Sequence, residues 1–234
     1  MKIPLSQSLL RRKQEGFFPV ISEIKVRSKK EGDLLAGRDP LDLAREMAAC
    51  PVAGISVVTE PEHFGGSMAI LRQVAAGVDL PVLHKDFITT ENQVRASAES
   101  GASAILLITA MLTAEQLANL IDAARRYGLE SLVEVHDLEE LRRVEPLDFD
   151  LLGINNRDIT ILECDDTDVA KTELLAGFRT VGRPLISESA ISTAEDVRRA
   201  GKSGADAVLV GTAVLKAPSI AKILNQMTSV GWPL

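Results

Sequence analysis

Eight short apolar runs rich in β-branched residues, each followed by a stretch of helical periodicity, set the tightest limit on what this chain can fold into. The runs are Val20 to Lys25, Gly54 to Thr59, Pro81 to Phe87, Ala104 to Thr109, Ser131 to His136, Leu151 to Arg157, Leu185 to Ala190 and Ala207 to Thr212. Helical patterns follow at 39–50, 67–76, 91–100, 113–127, 138–144, 168–176, 194–201 and 219–227. The clearest is 113–127, where Leu117, Leu120, Ile121 and Ala124 share a face and Gly128 stands just past the end, where a left-handed residue is usual. Continuous apolar strands separated by helices imply a parallel sheet covered on both faces. The near-repeat of SGASAILLIT (Ser100 to Thr109) and SGADAVLVGT (Ser203 to Thr212) points to one recurring unit of helix end, glycine, small residues and strand. Eight such units close most naturally into a single (β/α)8 barrel, an α/β fold over residues 1–234 with an N-terminal extension at 1–19. The competing arrangement, an open doubly wound sheet, is disfavoured because no GxGxxG turn follows the first strand.

A barrel of this kind brings the C-terminal ends of its strands to one mouth, and the chain's strand-borne charges sit at those ends. Five runs carry Glu23, Lys25, Lys85, Glu134, Asn155 and Glu188. Packing alone does not account for them, because burying an unpaired charge costs on the order of several kcal/mol or forces neutralisation. A single Glu/Lys pair at a strand end is commonly a rim salt bridge, but five strands repeating the placement read as an active site. Glu23 and Lys25 are two apart and share a face, as do Lys85 with Leu83 and Glu134 with Leu132 and His136. Carboxylates and ammonium groups converging in a partly enclosed site push some pKa values toward neutrality, which general acid and base chemistry needs.

Charge and cysteine usage narrow the partner. With 26 basic and 33 acidic residues the net charge is -7, which argues against attraction to nucleic acid or an anionic membrane and for a small molecule. Cys50 and Cys164 are too few and too far apart for a disulfide framework or zinc site, so a reducing cytoplasm is the expected setting. Neither a signal-peptide core nor an apolar run near the roughly 20 residues of a membrane span is present. With three histidines and no HxH or HExxH spacing, no metal site is expected. His84 has the wrong strand parity for the mouth and reads as a structural residue, and His136 reads as a rim residue.

The ordered set VISEIK, ISVVTEPEHFGGS, HKDFI, VEVHDLEEL, GINNRD, LISESAI and VLVGTA resembles indole-3-glycerol phosphate synthase of tryptophan biosynthesis, over roughly Phe18 to Leu215. The resemblance implies a (β/α)8 barrel that converts 1-(2-carboxyphenylamino)-1-deoxyribulose 5-phosphate into indole-3-glycerol phosphate, losing carbon dioxide and water, without a cofactor. Ring closure needs an acid for the ribulose carbonyl, and Lys85 matches it. Dehydration needs an acid for the leaving hydroxyl and a base for the ring nitrogen proton, and Glu134, Lys25 and Glu23 match the groups for those steps. By the same resemblance Asn155 and Glu188 orient substrate and lysines. Ser28, Ser189, Ala190, Gly211 and Thr212 match phosphate-contacting positions. Phe64, Phe87 and Arg157 match positions near the anthranilate ring or the carboxylate. Taken alone, Gly211 also reads as a turn glycine and the two phenylalanines as core.

The chain departs from that pattern in three places. Ser28-Lys29-Lys30 stands where the family usually has Ser-Pro-Ser, Ala190 where it has glycine, and the segment before the first strand is short, so the helix that helps roof the pocket is reduced to Leu5 to Gln14. A left-handed conformation at Ala190 would be strained. The other readings are a related lyase or isomerase acting on another phosphorylated sugar, and a phosphate-binding barrel without catalysis. A monomer or weak homodimer is expected.

Overall fold

A computed structural model describes residues 3–157, 168–179 and 182–234. Cys164 lies outside them. Eight parallel strands form a closed barrel: β1 Val20–Ile24, β2 Gly54–Val58, β3 Val82–Lys85, β4 Ala104–Ile108, β5 Glu130–Val135, β6 Leu151–Asn155, β7 Leu185–Glu188 and β8 Ala207–Val210. Each strand pairs with its neighbour in sequence, and β1 closes the ring by pairing with both β2 and β8. This is the (β/α)8 TIM barrel, and closure rules out the open sheet.

The helices are α1 Leu5–Gln14, α2 Pro40–Ala48, α3 Met68–Gly77, α4 Glu91–Glu99, α5 Ala114–Arg126, α6 Leu138–Val144, α7 Ala170–Leu175, α8 Ala194–Lys202, α9 Thr212–Lys216 and α10 Ile220–Thr228. Local chemistry starts most of them. Asp39, Ser67, Thr90, Thr113, Asp137, Thr193 and Ser219 each accept backbone N–H groups at a helix N-terminus, satisfying donors that would otherwise lack partners. Gly128, with φ of +72°, follows α5 in the left-handed conformation that a side chain disfavours.

Strand parity divides the apolar residues in two. Val20, Ile55, Val57, Val82, Ile105, Leu107, Val133, Val135, Ile154 and Val208 pack between sheet and helices. Ile21, Leu83, Leu106, Leu132, Leu151, Ile186 and Leu209 fill the barrel interior, where Leu5 and Leu9 of α1 join them. The N-terminal helix therefore lies at the end opposite the one expected. Ser8 donates to Ala53 O (2.6 Å), Arg12 to Val52 O (3.0 Å), Ser6 N to Glu130 (3.0 Å), and Lys13 pairs with Asp206. All four partners sit where strands begin, so α1 plugs the bottom of the barrel and roofs nothing. The strands also end earlier than the apolar runs suggest: β7 stops at Glu188, and Ser189 and Ala190 turn out of the sheet in left-handed conformation.

Candidate active site

On five of the eight strands, β1, β3, β5, β6 and β7, the interior positions are apolar near the start and polar near the end. Along β1 they run Ile21 then Glu23, along β3 Leu83 then Lys85, along β5 Leu132 then Glu134, and along β7 Ile186 then Glu188. Lys85 Nζ lies 3.3 Å from Glu23 Oε2 and 3.2 Å from Glu188 Oε2, so one ammonium bridges two carboxyl groups borne by strands on different sides of the ring. Lys25 Nζ lies 3.7 Å from Glu23 Oε1 and 5.6 Å from the centre of the Phe64 ring. The Ser56 hydroxyl, level with Glu23 in the β1–β2 register, donates to Glu23 Oε2 at 3.3 Å.

Two glycines make room for these carboxyl groups. A methyl group on Gly153 would come within 2.2 Å of Glu188 Oε1, and one on Gly211 within 2.7 Å of Glu23 Oε1. Gly211 has φ of -120°, which any residue can adopt, so it is required by the approach of Glu23 and not by its own turn. Gly153 was not singled out from the sequence. A glycine inside an otherwise apolar strand is nevertheless a sign of close approach by another group.

Burial and neighbouring charge set the protonation of the cluster. Burial raises the Glu188 carboxyl to about 8, with Glu134 and Glu23 pushing the same way and Lys85 opposing. Burial would also raise Glu134, but contact with His136 and the charge of Lys85 outweigh it, and its pKa is held below the ordinary value. The result is a buried carboxylic acid beside a buried carboxylate, an arrangement suited to moving protons at neutral pH. His136 itself is lowered by burial but raised more by Glu134 and Glu140, to about 10.

Two cavities open on this cluster. The larger, about 840 Å³, is lined by Lys30, Lys171 and Lys216, by Asn156, and by the turns Ser189-Ala190 and Gly211-Thr212. The smaller, about 50 Å³, is lined by Val58, Phe64, Phe87, Leu106 and Ile108 together with Glu134 and Asn155. Glu23, Lys25, Lys85 and Arg157 border both. The site is therefore a cleft with one apolar end, one cationic end, and proton-carrying groups where they join.

Most of the predicted residues come together in this cleft. Two border neither cavity: Glu188, fully buried, meets the cleft through Lys85, and Ser28, whose hydroxyl accepts from Glu31 N (3.1 Å), braces a small hairpin of Arg27–Ser28 against Gly32–Asp33. His84 is structural as expected, buried with Nε2 at 2.7 Å from Thr59 Oγ1 and Nδ1 at 2.7 Å from Ser97 Oγ. Two contributors went unread. Asn156 donates to Ser187 Oγ (3.1 Å), Glu188 O (2.9 Å) and Ser189 O (3.3 Å), tying β6 to the turn after β7. Glu60 accepts backbone N–H groups of Glu62, His63 and Phe64 at 2.7–3.0 Å and so shapes the loop that carries Phe64. Glu60, Glu62 and His63 are also close enough to one another to share a cation, but the N–H groups already occupy both Glu60 oxygens. His136, read from the sequence as a rim residue, lies with its ring between Glu134 and Glu140.

Comparison with known proteins accords with this geometry. The family model for indole-3-glycerol phosphate synthase matches residues 2–227. The chain belongs to the indole-3-glycerol phosphate synthase family. An indole-3-glycerol phosphate synthase of Thermococcus kodakarensis is 44% identical over 211 residues, 90% of this chain and 92% of that protein. One from Pyrococcus abyssi is 45% identical over 207 residues, 88% and 90% of the two chains. One from Listeria monocytogenes is 39% identical over 225 residues, 92% and 88%. Ala190 is left-handed (φ +58°), a conformation suited to glycine although the residue has a methyl group. Among the described residues, no helix is long and apolar enough to cross a membrane.

Proposed function

We propose that this carboxy-lyase of tryptophan biosynthesis closes the indole ring of 1-(2-carboxyphenylamino)-1-deoxyribulose 5-phosphate with Lys85 as general acid and Glu134 as general base. The observation that carries the assignment is the Lys85 ammonium, held between Glu23 and Glu188 where the apolar and cationic ends of the cleft join. The apolar end, with Phe64 and Phe87, takes the aromatic ring. The cationic end takes the phosphate against the backbone N–H groups of the Ser189-Ala190 and Gly211-Thr212 turns. The substrate's anionic groups match Lys25, Arg157, Lys171 and Lys216 around the cleft.

With the substrate stretched between those ends, its ribulose carbonyl faces Lys85. The ring carbon bearing the carboxylate attacks that carbonyl, and the oxygen takes a proton from Lys85 as the carbon–carbon bond forms. Carbon dioxide then leaves and its electron pair restores the aromatic ring. Loss of the new hydroxyl as water needs a second proton, which Lys25 supplies. Because the indole keeps one N–H, the hydrogen lost overall comes from the CH2 beside nitrogen, and Glu134 accepts it as a carboxylate. One proton is consumed in all. Asn155, beside Glu188 in the β6–β7 register, and Glu23 hold the lysines and substrate in place.

Incubating the protein with this substrate should produce indole fluorescence. Lys85→Met should reduce turnover by about 10²- to 10⁴-fold, the usual loss of a positioned acid, while substrate binding persists. A variant that keeps more than half the wild-type rate removes Lys85 from the mechanism.

A further inference from the structure

Just beyond the end of β5, His136 stands between two carboxyl groups. Its Nε2 lies 3.4 Å from Glu134 Oε1 and its Nδ1 lies 3.1 Å from Glu140 Oε2, on the first turn of α6. The same Glu140 oxygen accepts the His136 backbone N–H at 2.8 Å, so one carboxylate fixes both the main chain and the ring. Glu140 is held in turn, because the Asp137 side chain accepts its N–H at 2.8 Å and starts α6. We propose that His136 is a positioning residue for the reaction, an imidazolium braced by Glu140 that orients the buried Glu134 carboxylate toward the substrate.

Glu134 is only 1% exposed, and among the described residues its oxygens make no contact with the angles of a hydrogen bond. Such a carboxylate tends to take up a proton, which would disable it as a base. A cation 3.4 Å away opposes that, and close ion pairing of this kind is strengthened by the low local polarity. Glu23, Lys25, Glu60, Lys85, Asp86 and Arg157 line the small cavity on which Glu134 opens. Glu134 lies on its own strand, and Glu140 lies on α6. Arg143, also on α6, is turned away to donate to Thr109 O. Lys85 on β3 acts on Glu134 from within the barrel, Glu188 on β7 opposes it, and Asn155 on β6 is neutral. With Lys85 shared between Glu23 and Glu188, His136 is the cation facing Glu134 from the rim.

The proposal rests on the reading of Glu134 as base, and its tests separate the two. His136→Asn keeps a donor of similar reach without the charge. Its kcat should fall at least about tenfold with KM within about threefold, and the acid limb of its rate profile should rise by about one pH unit or more, a tenfold rate loss per unit. Glu140→Gln should shift the limb in the same direction by less. A ring-proton NMR titration reads the pair without activity: His136 should titrate far above the ordinary histidine value in the wild type and much lower in Glu134→Gln. An acid limb unmoved in His136→Asn, or a His136 titration unaffected by Glu134→Gln, overturns the proposal. If Glu134→Gln turns over like wild type, the base assignment fails and the catalytic role of His136 fails with it.

Discussion

Glu188 and Ala190, two residues apart, each hold a state that their side chains disfavour. For Glu188 the state is a burial that lifts its carboxyl to about 8, well above the range of an unfolded glutamate. A group whose folded pKa is raised contributes stability that is full below the unfolded value and lost as pH rises through the folded one. The wild-type protein should therefore lose stability between about pH 4.5 and pH 8 by this route, and Glu188→Gln should flatten that part of the curve. Urea unfolding of both proteins at half-unit pH steps reads the difference, and parallel curves would show that Glu188 is not the group responsible. For Ala190 the state is a φ of +58°, which costs a side chain roughly 1–2 kcal/mol. Glycine relieves the strain but adds freedom to the unfolded chain worth about 0.4–1 kcal/mol. Ala190→Gly should thus stabilise the fold by up to about 1.5 kcal/mol, and a measured loss of that size in chemical denaturation would refute the strain argument. Glu188 was placed at the mouth by its position at the end of an apolar run, and Ala190 by family resemblance. Their states were not legible in the sequence, since they depend on burial within the closed barrel and on the turn that leads into α8.

In the loop after β1, Lys29 and Lys30 stand where the family resemblance leads one to expect proline and serine. The missing proline suggests a freer loop, yet the structure ties it down. Arg38 donates to Leu34 O (2.8 Å), Leu35 O (2.8 Å) and, on the neighbouring α9, Leu215 O (2.6 Å), and Glu31 pairs with Lys216 of α9. Lys29 is exposed and borders neither cavity, whereas Lys30 borders the cationic one. The two lysines therefore differ in place: only Lys30 faces the cavity proposed to take the phosphate. Lys30→Ser should reduce the salt dependence of kcat/KM, because attraction between exposed charges is screened over about 8–10 Å at ordinary ionic strength, and Lys29→Ser should leave that slope unchanged. Rates across a salt series decide the point, and equal slopes in Lys30→Ser and wild type would place Lys30 outside the phosphate's reach.

Across the whole molecule, the two ends of the barrel do different work. The mouth collects charges, and the bottom is closed by α1, whose Leu9 is 1% exposed among the interior leucines. Stability and catalysis should therefore be separable by mutation. Leu9→Ala should cost roughly 2–5 kcal/mol, the range for emptying a buried leucine site, and leave KM within about twofold. Denaturant unfolding together with steady-state kinetics tests both halves, and a large KM change at full folding would mean that α1 communicates with the mouth.

What the chain determined by itself is local. Alternation along a strand is a two-residue property, so Glu23, Lys25, Lys85, Glu134 and Glu188 could be placed inside the barrel before any strand was paired. Helix starts are equally local, and the capping residues mark them within a turn. Family resemblance added roles residue by residue. Only closure of the barrel decided the rest, because distances across a ring depend on strand register and on the space neighbours leave. It brought Glu188 to Lys85 through the gap at Gly153, made Gly211 a seat for Glu23, turned Ser28 into its own hairpin, and sent α1 to the bottom. It also changed the meaning of His136: read along the chain it is a rim residue, but the fold of α6 onto the end of β5 sets its ring between two carboxyl groups.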